Sequence, residues 1–193
     1  MTALVLGLVL FLGLHSARIV AEPARQRFIA ERGEKVWKGL YTVLSLVGFA
    51  LIVWGYGQAR QQPVVLWPSP VWTRHLAALL TLVSFVLLVA AYVPGNAFKA
   101  RFGHPMLLGT KVWALAHLMA NNTLADLLLF GGFLVWAIAC YVSARRRDRA
   151  QQVVYPAGRA GPTVVTVGVG IAAWAAFAMW AHAWLIGVRP FGG

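Results

Sequence analysis

Hydrophobic residues form six long runs along the chain, and short polar segments separate them. A helix needs roughly 20 residues, at about 1.5 Å per residue, to cross the hydrocarbon core of a bilayer. Five runs have that length, and the fourth is either a short span or one half of a hairpin with the fifth. The pattern therefore predicts an all-α, polytopic membrane helical bundle of about six spans, over residues 2–21, 36–57, 71–93, 105–120, 124–144 and 162–188.

The composition supports a membrane protein. The chain has 193 residues, of which 60% are hydrophobic and 11% are charged. A soluble bundle of this size could not keep so much apolar surface away from water. Because the loops are short, residues 1–193 are predicted to form a single membrane domain whose main partner is the lipid bilayer.

Positive charges are concentrated on one side of the predicted bundle. The first, third and fifth loops hold six, three and five lysines and arginines, whereas the other side holds only Arg60, Arg74 and Arg189. Loops rich in these residues stay cytoplasmic, so both termini are predicted to lie on the periplasmic side. The net charge of +12 flanks the spans without a nucleic-acid-binding motif, and no nucleic-acid partner is expected.

Three histidines, His15, His117 and His182, lie within hydrophobic runs. An ionisable side chain in a membrane span is a candidate functional residue, although each taken singly could be satisfied by one hydrogen bond to a neighbouring helix. Taken together they favour a haem held by two imidazoles from facing helices. Because the chain has no Cys-x-x-Cys-His motif, that haem would be non-covalent haem b. Its propionates would need cations, for which Arg74, Arg101 and Lys111 are available.

Helix depth complicates the choice of the two axial histidines. His15 is predicted about 5 Å to the cytoplasmic side of the membrane centre, and His117 about 6 Å to the outer side. A difference of roughly 10 Å in height is large for two ligands of one upright haem, so His182 in the outer half stays an alternative partner for His117. His75 and His104 are predicted at the outer and the cytoplasmic boundary.

Other residues in the runs have structural explanations. Asp126 is predicted to cap the N-terminus of the fifth span, and Cys140 to be a small apolar core residue. Gly168, Ala172 and Ala176 place a small residue at every fourth position of the sixth span. Such a face lets another helix approach closely, either within the chain or in a homodimer.

Three segments carry a recognisable pattern: Gly13-Leu14-His15-Ser16, His104-Pro105 through Gly109 and Trp113 to His117, and Phe130-Gly131. On these segments, and over nearly its whole length, the chain resembles the NnrU family of small polytopic membrane proteins. That resemblance implies a place in the bacterial inner membrane and a role in denitrification and nitric oxide handling, with a respiratory complex as one conceivable partner.

The same segments are similar to the plastid 15-cis-zeta-carotene isomerase, a distantly related haem b protein. This resemblance implies that His15 and His117 bind the haem iron, with His182 matching a third histidine of less clear role. The segment His104-Pro105 with Gly109 is also similar to a motif that helps isoprenylcysteine methyltransferases bind S-adenosylmethionine. Gly103 replaces the arginine of that motif and the acidic pair downstream is absent, so methyl transfer is not expected.

Three functions stay open from the sequence, and none of them identifies a catalytic residue. The first is a haem b protein whose iron senses, binds or transfers electrons to nitrogen oxides. The second is a haem-dependent isomerase of an apolar polyene that enters from the lipid. The third is a non-catalytic accessory protein that helps to assemble a nitrogen-oxide reductase.

Overall fold

The computed structural model describes residues 1–191, and the regular secondary structure of this part of the chain is helical, without a β-strand. Its only extended pairing is an isolated bridge between Val65 and Thr123. The prediction of an all-α fold is therefore confirmed for the described residues. The helices are α1 (Thr2–His15), α2 (Ala17–Val20), α3 (Glu22–Arg32), α4 (Glu34–Ala59), α5 (Trp72–Ala90), α6 (Ala97–Phe102), α7 (Pro105–Ala120), α8 (Leu124–Ala150), α9 (Ala160–Ala176), a π-helix (Phe177–Ala181) and α10 (His182–Ile186).

Four of the described helical segments are long and apolar enough to cross a membrane. They are Glu34–Ala59, Trp72–Ala90, Leu124–Ala150 and Ala160–Ile186, and they match the second, third, fifth and sixth hydrophobic runs. Helices α1 and α7 have 14 and 16 residues, so they are about 21 and 24 Å long, against about 30 Å for the hydrocarbon core. The chain is thus a membrane-type helical protein with four full-length candidate spans.

The first hydrophobic run is not one continuous helix. Helix α1 ends at His15, and the Oγ of Ser16 donates a hydrogen bond of 2.7 Å to the carbonyl of Leu12. A serine that bonds back to the preceding turn competes with the helical ladder. The short helix α2 then begins at Ala17. His15 therefore lies at the end of a helix and not inside a 20-residue span.

The described chain divides into two compact units. Unit 1 contains Met1–Pro68 and Asn122–Trp136, and unit 2 contains residues 69–121 and 137–191. Helix α8 contributes its first half to unit 1 and its second half to unit 2. The expectation of a single domain over residues 1–193 stays a prediction, and its last two residues lie outside the described part.

Unit 1 is organised by close packing of α1 against α4. The contact is made at glycines, because a Cβ on Gly7 would lie 2.6 Å from the backbone nitrogen of Ile52, and one on Gly55 would overlap the backbone of Leu4. Gly48 is nearly as tight, since its Cβ would lie 3.0 Å from the nitrogen of Phe11. Small residues at a membrane-helix crossing let the two backbones approach each other.

The N-terminus of α8 is closed by a capping box in unit 1. The backbone nitrogen and the Oγ1 of Thr123 donate to Oδ2 of Asp126 at 3.0 and 2.6 Å, and Oγ1 accepts from the nitrogen of Asp126 at 3.2 Å. The hydroxyl of Tyr56 on α4 donates to the other carboxylate oxygen at 2.6 Å. Asp126 is only 5% exposed, and its partners confirm the predicted capping role.

Removing the hydroxyl of Tyr56 should destabilise unit 1. The Tyr56→Phe variant leaves one oxygen of the buried Asp126 carboxylate without its donor, and a hydrogen bond to a charged group contributes about 1.5–3 kcal/mol. We expect a lower unfolding midpoint in detergent for Tyr56→Phe. The matched control is Tyr92→Phe, because Tyr92 is 75% exposed and its midpoint should stay that of the wild type. Equal midpoints for both variants would contradict this role of Tyr56.

In unit 2, α5 packs between α7 and α9. The hydroxyl of Ser84 donates to the carbonyl of Gly109 at 2.8 Å. On the other side of α5, a Cβ on Gly170 would lie 2.7 Å from the Cα of Val86. The indole nitrogen of Trp174 donates to Oγ1 of Thr81 at 3.1 Å. Small residues and hydrogen bonds between helices thus hold both contacts.

The small-residue face predicted for the sixth span does not make the internal contact. Gly168, Ala172 and Ala176 are all exposed, and a Cβ on Gly168 would meet no atom within 4 Å. The contact with α5 uses Gly170 and the buried Thr166 instead. The sequence offers small residues on two faces of this helix, and their spacing alone does not tell which face packs. A homodimer through the exposed face stays a prediction.

Candidate functional site

His15 lies at the C-terminal end of α1, among aromatic rings of unit 1. Its Nδ1 is 2.7 Å from the carbonyl oxygen of Phe11. A carbonyl can only accept a hydrogen bond, so Nδ1 carries the proton and the lone pair of the neutral imidazole is on Nε2. The ring stacks on Phe11 with 4.1 Å between centroids and lies 5.1 Å from Tyr41 of α4. These contacts fix the plane of the imidazole.

The first half of α8 completes this surrounding. The ring of Trp136 is 6.1 Å from that of His15 and stands almost perpendicular to it, at 83°. Phe133 lies 6.3 Å from Trp136 and 6.0 Å from Phe11. The partly buried ring of His15 is therefore flanked by aromatic side chains from α1, α4 and α8, which lower the access of water to it.

His117 belongs to unit 2 and lies in the last turn of α7. Its Nδ1 is 2.9 Å from the carbonyl oxygen of Trp113, and the ring centroids of the two residues are 5.2 Å apart. This is the arrangement of His15 repeated, in which Nδ1 donates to the carbonyl four residues earlier. The side-chain amide of Asn121 donates to the carbonyl of His117 at 2.8 Å and so closes the end of the helix.

His182 also belongs to unit 2 and follows the π-helix Phe177–Ala181. A π-helical turn contains one extra residue, which rotates the residues after it relative to a regular α-helix. Nδ1 of His182 is 2.8 Å from the carbonyl oxygen of Val188, and the ring of Phe177 is 5.8 Å away, edge to face. His182 thus shares the tautomer of the other two histidines but lies in a more exposed position.

The three histidines have in common a backbone carbonyl that accepts from Nδ1. Histidines that ligate a metal through Nε2 usually make this kind of bond, because it fixes the tautomer and orients the ring. Each of the three residues therefore has the tautomer that a ligand bonding through Nε2 requires. This common feature could not be read from the sequence, because it depends on where each carbonyl lies.

His104 has a different environment. Its Nε2 is 3.0 Å from Oδ2 of Asp148, to which Tyr155 donates at 2.9 Å and Arg145 at 3.2 Å. Burial and the bond to the Asp148 carboxylate raise the pKa of the Tyr155 hydroxyl above its usual value. His104 also precedes α7 as its N-cap residue. Its nitrogen is thus engaged in a polar cluster that connects the start of α7 to the end of α8.

In the described part of the chain, the three cations predicted to bind the haem propionates show no hydrogen bond or ring contact with the three histidines that are candidate iron ligands. Nζ of Lys111 lies 4.2 Å above the ring of Tyr141, in a cation–π contact. Arg74 is exposed near the start of α5, and Arg101 is exposed on α6. All three cations belong to unit 2, whereas His15 belongs to unit 1. Their predicted role toward haem stays a prediction.

A metal site made of side chains alone is absent from the described part of the chain. Among residues 1–191, no group of three or more His, Cys, Asp or Glu side chains could hold a metal ion. A haem iron receives four nitrogens from its porphyrin and needs only one or two side chains.

Comparison with known protein families identifies the chain. A family model described as "NnrU protein" matches residues 3–190. The chain belongs to the NnrU family. The match includes all five histidines and confirms the resemblance that rests on His15, His104-Pro105 and His117. No curated protein matches the chain, and no solved structure does so either.

Membership in the NnrU family agrees with the architecture. Four described helices are long and apolar enough to cross a bilayer, and the family match extends over all of them. The chain is therefore a membrane protein of the NnrU type.

Proposed function

We propose that this NnrU protein binds haem b through embedded histidines and acts in denitrification or nitric oxide handling. The observation that carries the proposal is the hydrogen bond from Nδ1 of His15 and of His117 to a backbone carbonyl. Each bond places the imidazole lone pair on Nε2, where an iron could bind it. A bound haem would supply an iron that accepts electrons or a diatomic ligand such as nitric oxide.

The residues of the chain would have distinct tasks in this proposal. His15 and His117 are the proposed iron ligands, and His182 is the third candidate because it has the same tautomer. Phe11, Tyr41 and Trp136 hold the ring of His15 in place and reduce its contact with water. Arg74 and Lys111 are the proposed cations for haem carboxylates in unit 2.

We further propose that the chain resides in the bacterial inner membrane with both termini on the periplasmic side. The support is the excess of lysine and arginine in the first, third and fifth loops. In this topology α1 and α7 also cross the membrane, as spans of about 21 and 24 Å. A short hydrophobic helix is accommodated by local thinning of the bilayer at a modest cost.

A second candidate function is the haem-dependent isomerisation of an apolar polyene. One observation favours it, which is an open surface pocket of about 770 Å³ in unit 2 beside the C-terminal helix, lined by exposed side chains. Trp180, Trp184 and Phe191 line much of it, and Arg189 contributes the only charge among the lining residues. Such a pocket could admit an apolar molecule from the lipid.

The absorption spectrum of the purified protein tests haem binding. The chain is expressed with ample haem, purified in mild detergent and assayed by pyridine haemochrome formation. We expect a Soret band and the haemochrome spectrum of haem b. His75→Ala should keep that spectrum, because His75 is exposed at the start of α5. A protein without a Soret band would refute haem binding and leave the non-catalytic accessory function as the surviving hypothesis.

A further inference from the structure

Among the described residues, unit 1 contains three buried polar side-chain atoms without a hydrogen-bond partner. One is a carboxylate oxygen of Glu22 on α3, and the other two can donate: Nε1 of Trp136 on α8 and Oγ of Ser45 on α4. A buried donor that finds no acceptor is costly, and such atoms are uncommon in native proteins. Trp174, in unit 2, illustrates the ordinary solution, since its indole nitrogen donates to Thr81.

Both donor atoms belong to the surroundings of His15. The ring of Trp136 lies 6.1 Å from that of His15. Ser45 follows Tyr41 by one turn of α4, and the Tyr41 ring is 5.1 Å from that of His15. Residues one turn apart on a helix are neighbours on the same face.

The packing of α1 against α4 independently places Ser45 near His15. Gly55 meets Leu4, and Gly48 meets Phe11, so the two helices run antiparallel. Continued at the same register, this pairing brings Ser45 alongside Leu14, next to His15. The level at which α1 ends therefore holds one imidazole and two unpartnered polar atoms.

The chemistry of these groups indicates what could bind beside them. An indole N–H can only donate, so its partner must be an acceptor. The serine hydroxyl can donate to the same group. Two neutral donors in aromatic surroundings suit a carboxylate, which accepts several hydrogen bonds. A cationic group needs a hydrogen-bond acceptor, and the indole N–H of Trp136 cannot act as one.

We propose that Trp136 Nε1 and Ser45 Oγ together bind one carboxylate of the porphyrin whose iron is bound by His15. This inference rests on the proposed binding of haem b and adds a new role for two residues toward it. The carboxylate would then be held beside His15 by neutral donors of the same unit, without Arg74 or Lys111. Binding would also satisfy these two buried donor atoms, which the protein alone leaves without partners.

The test compares haem b with its dimethyl ester, in which both carboxylates are blocked. Full-length protein expressed under haem limitation is titrated in detergent with each compound, and the dissociation constants are read from the Soret band. We expect Trp136→Phe, which keeps an aromatic ring, to weaken the binding of haem b about tenfold, or about 1.4 kcal/mol. It should weaken the binding of the ester less than about twofold, because an uncharged ester oxygen is a weaker acceptor for the indole than a carboxylate.

Variants of Ser45 and a second tryptophan provide the controls. Ser45→Ala should reduce the binding of haem b selectively, and Ser45→Thr, which keeps a hydroxyl, should restore it. Trp72→Phe should change neither titration, because Trp72 is 59% exposed at the start of α5. As a second readout, ultraviolet resonance Raman difference spectra between wild type and Trp136→Phe should show a new hydrogen bond at the indole nitrogen when haem b is added.

The titrations distinguish a failure of haem binding from a failure of the carboxylate assignment alone. If wild-type protein binds neither compound, haem binding itself is wrong and the carboxylate assignment is wrong with it. If wild type binds haem b but Trp136→Phe weakens both compounds equally, or neither, haem binding stands and the carboxylate assignment is overturned. An unchanged Raman signal of the indole on loading with haem b would also overturn it.

Discussion

The His117→Ala variant is expected to lose the absorption spectrum of bound haem b. The neutral imidazole of His117 has its lone pair on Nε2, because Nδ1 is 2.9 Å from the carbonyl of Trp113. Loss of residues that merely orient a metal ligand weakens binding about 10–100-fold, so loss of the ligand itself should cost at least that much. The measurement is the Soret absorbance per protein after purification in detergent, together with the haemochrome assay.

Imidazole added to the His117→Ala protein separates loss of a ligand from loss of the fold. A correctly folded variant should regain part of the Soret band with imidazole, because the free base can occupy the position of the missing side chain. His75→Ala, without imidazole, should have the wild-type spectrum. A His117→Ala protein that retains an unchanged spectrum would contradict the assignment of His117.

Variants of the other two histidines decide the second ligand. His15→Ala should change the spectrum, since His15 repeats the hydrogen-bond arrangement of His117. If His182→Ala lost the band while His15→Ala kept it, the second ligand would be His182, whose Nδ1 also donates to a carbonyl. The membrane depths estimated from the sequence for His15 and His117 had also left His182 as an alternative second ligand.

The hydrophobic pattern predicted most of the helices of this protein. The fourth run matches α7 at both ends, and the second run differs from α4 by only two residues at each end. This accuracy has a physical basis, because long apolar segments in a bilayer must satisfy their backbone hydrogen bonds internally. Helix type and approximate position are therefore strongly constrained by composition alone.

The end of α1 could not be predicted in the same way. Residues 16–21 are apolar enough to continue the first run, yet the helix is interrupted at Ser16, whose hydroxyl bonds to the carbonyl of Leu12. A single serine is compatible with a continuing membrane helix. The position of His15 depends on whether Ser16 continues the helix or bonds back to Leu12, and the hydrophobicity of the run does not predict which occurs.

In the candidate site, too, the hydrophobic pattern of the sequence predicted some residues and missed others. His15, His117 and His182 were candidates from the sequence because ionisable residues in apolar runs are rare. Trp136 and Ser45 were not, because tryptophan and serine are ordinary in membrane helices and their unpartnered atoms appear only in three dimensions. The pairing of His104 with Asp148 was missed for a similar reason, since 44 residues separate them.

The second large effect that we expect concerns the fold of unit 1. The Gly55→Ala variant should unfold far more easily than wild type, because the added methyl group would overlap the backbone of Leu4. Overpacking typically costs about 1–3 kcal/mol and more where the surroundings cannot shift. A backbone segment inside a helix cannot move aside as a flexible side chain can. Relief of the overlap therefore requires α1 and α4 to separate.

The same helix provides a graded series of controls. Gly48→Ala should have a smaller effect, because its Cβ would lie 3.0 Å from the nearest atom of Phe11, whereas Gly57 has no atom within 4 Å of that position. Gly57→Ala should be neutral or stabilising by about 0.5–1 kcal/mol, since alanine favours a helix over glycine. Unfolding midpoints in detergent should therefore rank Gly57→Ala highest and Gly55→Ala lowest. A Gly55→Ala protein as stable as Gly57→Ala would refute the close packing of α1 and α4, and with it the surroundings proposed for His15.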